Sequence, residues 1–459
     1  METSVLQGLV LACFLGVVLV LFFEKKDYLT YSILLTVVAA VATSLVLPGE
    51  QAPALEDFIG AIEWDVVFFL ICLFAIVEVL EEERVFEEVA RRITHRFHAN
   101  TRAFFYFICL VGTLSAALIE DVSVAVIFIP MMIRACERLR VDPTPFLLGM
   151  TISINLAATL TPFGSAQNVL IASEFGLAPV WFLRYLGAYF AVSTVLTLFL
   201  LDKLVLSKQI GVLWLPACTD EGGQVVKSPE EFEFVVEDAA ASPAAFWRNL
   251  AALAGFVLLL FLVPSVIVAG FVGLLAFVFI NPKSGELGED VKKRPRLSHF
   301  LRRVDYKLVY FFICLFVLVY CMEVNGTLEA AGQFVTATFP DDPLALAALV
   351  LVVTSLLSGV LDNVPVTVVF LPLIGKLVAD LGLVGTDAAA VQVAFIIGIN
   401  VGGNFLPQGS AADMTTLELS RKFCVPGMSF KRLLKAGGAF ALLHVALGLG
   451  YLALLVRLG

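Results

Sequence analysis

Charge is what this sequence has least of. Only 15% of its 459 residues are Asp, Glu, Lys or Arg, against about 25% in a soluble domain. With 60% hydrophobic residues and a mean hydropathy of +0.95, that scarcity excludes a water-soluble chain. No GxxxxGK[ST] loop is present to cradle a nucleotide phosphate, which argues against ATP-driven chemistry by this chain alone. No charged leader with an Ala-x-Ala cleavage site precedes the first apolar run, so residues 5–23 read as a true span. The eight cysteines, among them Cys13, Cys72, Cys109 and Cys314, show no metal or redox spacing. They read as small buried hydrophobes. The net charge of −10 says little about partners, because charge in a membrane protein is sorted by side. The basic run KKRPR (292–296) reads as a contact with anionic lipid, and no nucleic-acid partner is expected.

What the chain does have is apolar runs of bilayer length. They lie near 5–23, 28–48, 64–80, 103–119, 122–136, 146–160, 180–202, 249–263, 265–280, 307–322, 343–361, 364–380, 389–406 and 435–456. Two pairs are interrupted only at their tips, one by Glu120 and Asp121, the other by Asp362 and Asn363. Short apolar arms meeting at an acidic tip suggest re-entrant hairpins, tolerated where protein or water shelters them. Treating both pairs as hairpins leaves ten spans. With the N-terminus outside, 27 of the 30 Lys and Arg residues fall on the cytoplasmic side; Arg184, Lys376 and Arg457 are the exceptions. This bias sets the expected orientation in a cell membrane: both termini outside, and the 207–246 and 281–306 loops cytoplasmic.

The two halves repeat each other. Residues 68–90 align without gaps on 310–332, pairing Cys72 with Cys314, Glu81 with Glu323 and Glu87 with Glu329. The same offset of 242 pairs Glu120-Asp121-Val122 with Asp362-Asn363-Val364. Three inserted residues later, NLAATLTPFGSAQN (155–168) meets NVGGNFLPQGSAAD (400–413). The expected fold is therefore an all-α polytopic membrane protein of two inverted repeats, with broken helices at the midplane. Each repeat would hold five transmembrane helices and one re-entrant hairpin. Residues 1–206 would form the first repeat, with its hairpin at about 103–136 and its broken helix at about 146–175. Residues 207–246 would form a cytoplasmic acidic linker. Residues 247–459 would form the second repeat, with its hairpin at about 343–380 and its broken helix at about 389–420.

Each break offers chemistry. Pro162 removes a helical donor and Gly164 frees the backbone; Thr161, Ser165 and Asn168 add polar groups, and Asn155 precedes them. The second copy offers Asn400, Asn404, Gln408, Gly409, Ser410 and a carboxylate, Asp413. Opened carbonyls and hydroxyls suit Na⁺, and the N–H end of the next half-helix suits an anion. At the tips, Glu120, Asp121, Ser123, Asp362, Asn363 and Thr367 are candidates for ion coupling; the tip acids could also simply cap the second hairpin arms. Glu78 and Glu81 read as solvated and His444 as a packing residue. No catalytic residue, cofactor or metal site is expected beyond Na⁺ or H⁺ as coupling ion.

Through IEDVSVAVIFIP, SINLAATLTPFGSAQN, SGVLDNVPVTVVFLP and GINVGGNFLPQGSAAD the chain resembles the ion transporter superfamily. That group includes the arsenite permease, citrate transporter-like, NhaD-type sodium–proton antiporter and melanosomal P-protein branches. The related dicarboxylate–sodium symporters typically carry Ser-Asn-Thr at both tips, where this chain has Glu120-Asp121-Val122 and Asp362-Asn363-Val364. Acidic tips would repel a di- or tricarboxylate unless cations or protons intervene. The departure shifts the expectation toward the arsenite permease and antiporter branches. The resemblance further implies an elevator-like carrier, often a homodimer. The expected function is an H⁺- or Na⁺-coupled secondary active transporter of a small anion or oxyanion-type solute, with a Na⁺/H⁺ antiporter lacking an organic substrate as the alternative. Its partners would be that solute, the coupling cation and the lipid bilayer.

Overall fold

Short polar signals set the helix ends in the computed structural model, which describes residues 2–22, 28–48, 52–97, 100–209, 218–219, 225–227, 242–263, 265–282, 296–330 and 342–458. The first half holds α1 (Glu2–Phe22), α2 (Tyr28–Val46), α3 (Leu55–Gly60), α4 (Trp64–Glu82) and α5 (Val85–Phe97). It continues with α6 (Thr101–Ala116), α7 (Asp121–Leu139), α8 (Thr144–Ala157), α9 (Ala166–Glu174) and α10 (Pro179–Leu201). The second half holds α11 (Pro243–Leu262), α12 (Val266–Ile280), α13 (Leu297–Leu301), α14 (Tyr306–Val324) and α15 (Pro343–Val360). It ends with α16 (Asn363–Asp380), α17 (Gly385–Gly402), α18 (Ala411–Lys422) and α19 (Phe430–Leu458). Ser242 and Asp342 cap α11 and α15 by accepting the N–H of Ala245 and Ala345, and proline follows each cap at the first helical position. Most of the 207–246 linker and half of the 281–306 loop lie outside the described residues; within the linker Cys218–Thr219 pairs antiparallel with Val225–Lys227.

The protein is a polytopic membrane protein. Among the described residues, eight helices are long and apolar enough to cross a bilayer, and four shorter apolar helices accompany them. Both interruptions expected from proline and glycine are present. The α8/α9 pair is parted over residues 158–165, and the α17/α18 pair over residues 403–410, where Pro407–Gly409 forms one 3₁₀ turn.

The helices fall into two groups, joined through contacts of α1 with α16 and of α4 with α9. α1, α2, α4, α12 and α14 associate through α1–α2, α2–α14 and α4–α12 contacts. α6 to α10 associate with α15 to α19, with α7 against α18, α9 against α16 and α10 against α19. The matched helices α4 and α14 run antiparallel. Arg303, just before α14, bonds Glu78 near the end of α4 (2.6 Å), while Tyr320 near the end of α14 meets Phe58 ahead of α4 (5.6 Å between rings). α8 is buried along its whole length and α17 nearly so. A helix apolar on every face belongs in the centre, so any polar group these two carry needs an internal partner.

Candidate functional site

Those polar groups find their partners across the two halves. Asn155, near the end of α8, donates through Nδ2 to Asn404 Oδ1 (3.0 Å) and Asp413 Oδ1 (3.0 Å), and its own Oδ1 accepts from Ser410 Oγ (2.9 Å). Asn400, its repeat equivalent on α17, donates to Asn168 Oδ1 (2.9 Å). Each pre-break asparagine thus grips the first turn of the other half's second helix. The exchange is not symmetric. Ser410 pairs with Asn155, but Ser165 Oγ is buried without a partner among the described residues, and Gln167 Nε2 occupies Asn400 Oδ1 instead (3.1 Å). Neither serine caps its own helix, so the N-termini of α9 and α18 keep their electropositive ends uncapped by side chains.

Asn168 and Asp413 differ in what they can do. Asn168 Nδ2 donates to the carbonyls of Ala158 and Thr161 and so holds the first break open. The matching carbonyls in the second break belong to Gly403 and Leu406, and an ionised Asp413 has no hydrogen to offer them. Asp413 is fully buried, one oxygen bonded to Asn155 and the other, Oδ2, without a partner among the described residues. A carboxylate so placed requires a proton or a cation.

The turn between α6 and α7 abuts the first break, and the turn between α15 and α16 the second. Thr161 Oγ1 donates to Ala117 O and accepts the N–H of Phe163 and Gly164 (both 3.2 Å). A Cβ on Gly164 would lie 2.7 Å from Ala116 O, and one on Gly409 2.7 Å from Gly359 O. Asn363, with its carboxamide nitrogen inward, reaches Gly409 O (3.2 Å) and Ile399 O (3.0 Å), alongside Ser358 Oγ, which donates to Ile399 O (2.6 Å). The tip acids do local work: Asp121 Oδ1 accepts the N–H of Val122 (2.8 Å) and Asp362 Oδ1 that of Asn363 (2.6 Å). Thr367 donates within its helix to Asn363 O (2.9 Å). Pro162 is buried in the first break, whereas Gln408 is exposed in the second.

A sequence model of the citrate transporter family matches residues 17–398. The chain belongs to the citrate transporter family. This family member is also 27% identical over 400 residues to a 46 kDa membrane protein of Mycobacterium leprae, covering 85% of this chain and 86% of that one. Against the human P protein it is 22% identical over 508 residues, covering 95% of this chain and 58% of that protein. Its fold is similar to the Alcanivorax borkumensis YdaH transporter (TM-score 0.62, 14% identity, 94% and 98% of the two chains covered). It is also similar to Neisseria gonorrhoeae MtrF, described among antimetabolite efflux pumps (TM-score 0.59, 11% identity, 92% and 93% covered). These likenesses and its apolar helices make it a multi-pass membrane transport protein.

Three features of this family member escape a reading of the sequence. Thr151 Oγ1 donates to Thr416 Oγ1 across the halves (2.9 Å). Glu81, expected in solvent, is partly buried, accepts a hydrogen bond from the Ser123 hydroxyl and lies within reach of the charges of Glu78 and Glu87; Glu78 is held by Arg303. A cavity of ≈ 530 Å³ opens beside α9 and α16, walled by Leu170, Leu315, Phe316 and Leu371 and edged by Glu63, Glu174 and Glu323. His444 is a packing residue in part: its Nε2 lies 2.7 Å from Thr197 Oγ1, and its Nδ1 is buried and unpartnered.

Proposed function

We propose that the chain is a secondary active carrier coupled to H⁺ or Na⁺, moving a small anion or oxyanion-type solute through the paired helix breaks. Two inverted repeats, residues 1–206 and 247–459, would supply one wall each, with the hairpins entering from opposite sides. The matched element order, the antiparallel α4 and α14 and the reciprocal Asn155 and Asn400 contacts support this reading. The Lys and Arg distribution supports the orientation with both termini outside. The uncapped N-termini of α9 and α18 supply partial positive charge for an oxyanion; Asp413 supplies the coupling group. In this reading Asn155, Ser165, Asn168, Asn400, Asn404, Ser410 and Asp413 line the site, and Asn363 reaches it from the second tip.

One observation carries the proposal: a fully buried carboxylate oxygen, Asp413 Oδ2, with no partner among the described residues, where the matching position of the other half is an amide. Proton or cation occupancy would neutralise it during the cycle. The test is flux in proteoliposomes with an imposed ΔpH or Na⁺ gradient, screening arsenite, silicate, sulfate, citrate and succinate. Asp413→Asn is expected to lose gradient-driven accumulation at least tenfold while retaining downhill exchange. Accumulation unchanged in Asp413→Asn would refute the assignment. The same carboxylate favours the second reading, a Na⁺/H⁺ antiporter, for which Na⁺-dependent proton efflux without any of these solutes is the expected result.

A further inference from the structure

The two breaks each leave one buried side-chain oxygen over, and the two oxygens call for opposite partners. Ser165 and Ser410 are the N-cap residues of α9 and α18; Asn168 and Asp413 follow three residues later, in the first helical turn. At the first break the amides are spent. Gln167 Nε2 bonds Asn400 Oδ1, Asn400 Nδ2 bonds Asn168 Oδ1, and Asn168 Nδ2 bonds the Ala158 and Thr161 carbonyls. What remains is the Ser165 hydroxyl, 2% exposed and without a partner among the described residues. Beside it, the N–H groups of Ala166 and Gln167 have no acceptor among the described residues. All three can donate, the set that an anionic oxygen takes. At the second break Ser410 bonds Asn155, which in turn donates to Asp413 Oδ1. What remains there is Asp413 Oδ2, which when ionised can only accept.

The charge balance differs accordingly. A helix N-terminus carries about +0.5 of an elementary charge. With neutral Asn168 in its first turn, α9 keeps that charge. An ionised Asp413 turns the α18 end to about −0.5, and a proton or cation on Asp413 returns it to about +0.5. The elements packed most closely on α18 are α7, α8 and the Pro407–Gly409 turn. α8 and the turn carry no titratable side chain. On α7, Asp121 is the acid whose charge reaches Asp413. Arg134, Cys136, Glu137 and Arg138 stand about 20 Å or more further along that helix. Glu418, Arg421 and Lys422 lie in later turns of α18 itself.

We propose that the breaks form two unlike anion subsites. Ser165 and the first turn of α9 hold one anionic group of the solute throughout. The first turn of α18 holds a second only while Asp413 carries a proton or cation. This rests on the carrier reading given above and narrows it: a monoanion binds without the coupling ion, whereas a small dianion binds together with it. Asp413 then decides which solutes fit as well as what drives them, and Ser165 defines the constant subsite.

The test is calorimetric titration of the full chain in detergent with choline salts of butyrate and succinate, a monoanion and a dianion on the same carbon frame. The titrations run between roughly pH 6.5 and 8.5, with and without Na⁺. In the parent, butyrate affinity is expected to stay level, and succinate affinity to rise as pH falls or Na⁺ is added. Asp413→Asn gives the second break the amide that the first already has. It should bind succinate at least about tenfold more tightly than the parent at the upper pH. It should also lose the dependence on pH and Na⁺, although Asp121 is retained. Ser165→Ala should weaken both anions about tenfold with the succinate dependence intact. Ser165→Thr, which keeps the hydroxyl, should restore them. Succinate binding that ignores pH and Na⁺ in the parent, or keeps its dependence in Asp413→Asn, would overturn the division. So would failure of both anions to bind either the parent or Asp413→Asn. Binding is read without gradients, so an overturned division with gradient-driven flux intact leaves the carrier reading standing. The expected binding pattern without any flux would count against that reading and leave both subsites in place.

Discussion

Gly164 and Gly409 let a backbone approach that any side chain would prevent. In each, an added Cβ would stand 2.7 Å from a tip carbonyl, an atom that cannot move aside as a flexible side chain would. Gly164→Ala and Gly409→Ala are each expected to cost about 1–3 kcal/mol, seen as a lower thermal midpoint in detergent. Gly187→Ala, with nothing within 4 Å of the new carbon, is expected to leave it unchanged. The two glycines were legible in the sequence, because a broken helix needs permissive backbone and the motif occurs twice. So were Asn155, Asn400 and Asp413, as polar residues in apolar surroundings. Gln167 was visible within FGSAQN, but its bond to Asn400 depends on how the halves interdigitate, which no single motif encodes. Glu81 was misjudged because it precedes Glu82, Glu83 and Arg84, and such a run reads as solvated; α14 and the first hairpin cover it from elsewhere in the chain.

At the scale of the element, the helix ends were the clearest signal. The α2, α15 and α16 boundaries lie within two residues of the apolar runs, since each run is closed by Pro, Gly or an acidic cap. α5 was, with the short α3 and α13, an element the apolar runs could not supply: its polar and apolar residues alternate at helical period, so it reads as a charged stretch between spans. It is tied by its own charges. Glu88 is buried and accepts from Arg91 (2.6 Å) and Arg92 (2.7 Å), and the Arg92 guanidinium lies 4.2 Å from the Phe246 ring of α11. Arg91 foremost, with Arg92, holds the Glu88 carboxyl below its ordinary range. A lowered folded-state value means the stabilisation is complete above the unfolded value and disappears as pH falls through the folded one. The thermal midpoint of Glu88→Gln should therefore lie below that of the parent by a constant margin from roughly pH 8 to 5. The margin should close below about pH 4. A margin that persists there would show that packing, not charge, holds α5.

For the whole molecule, the apolar runs and the internal repeat made the all-helical membrane architecture readable. The division into two helix groups was not, because it depends on which faces meet and every face of these helices is apolar. That division sets where the structure opens least. α8 and α17 are enclosed by neighbours along their lengths and should be the slowest elements in amide hydrogen exchange. Their exchange is expected to be at least tenfold slower than that of α5 in lipid nanodiscs. Comparable rates would mean that the central pair opens as readily as the periphery. Solute identity was not legible, since the breaks offer backbone dipoles and small polar groups that single out no one solute.

The exchange of Asn168 for Asp413 has a consequence for the energetics of a duplicated carrier. In the inverted-repeat reading, two identical halves would make the form open to one side the mirror of the form open to the other, equal in energy and indifferent to direction. One carboxylate in one copy removes that degeneracy. On the proposed carrier reading the resting orientation would report what occupies a single oxygen, and acidity or salt on one face of the bilayer would set which way the empty protein waits.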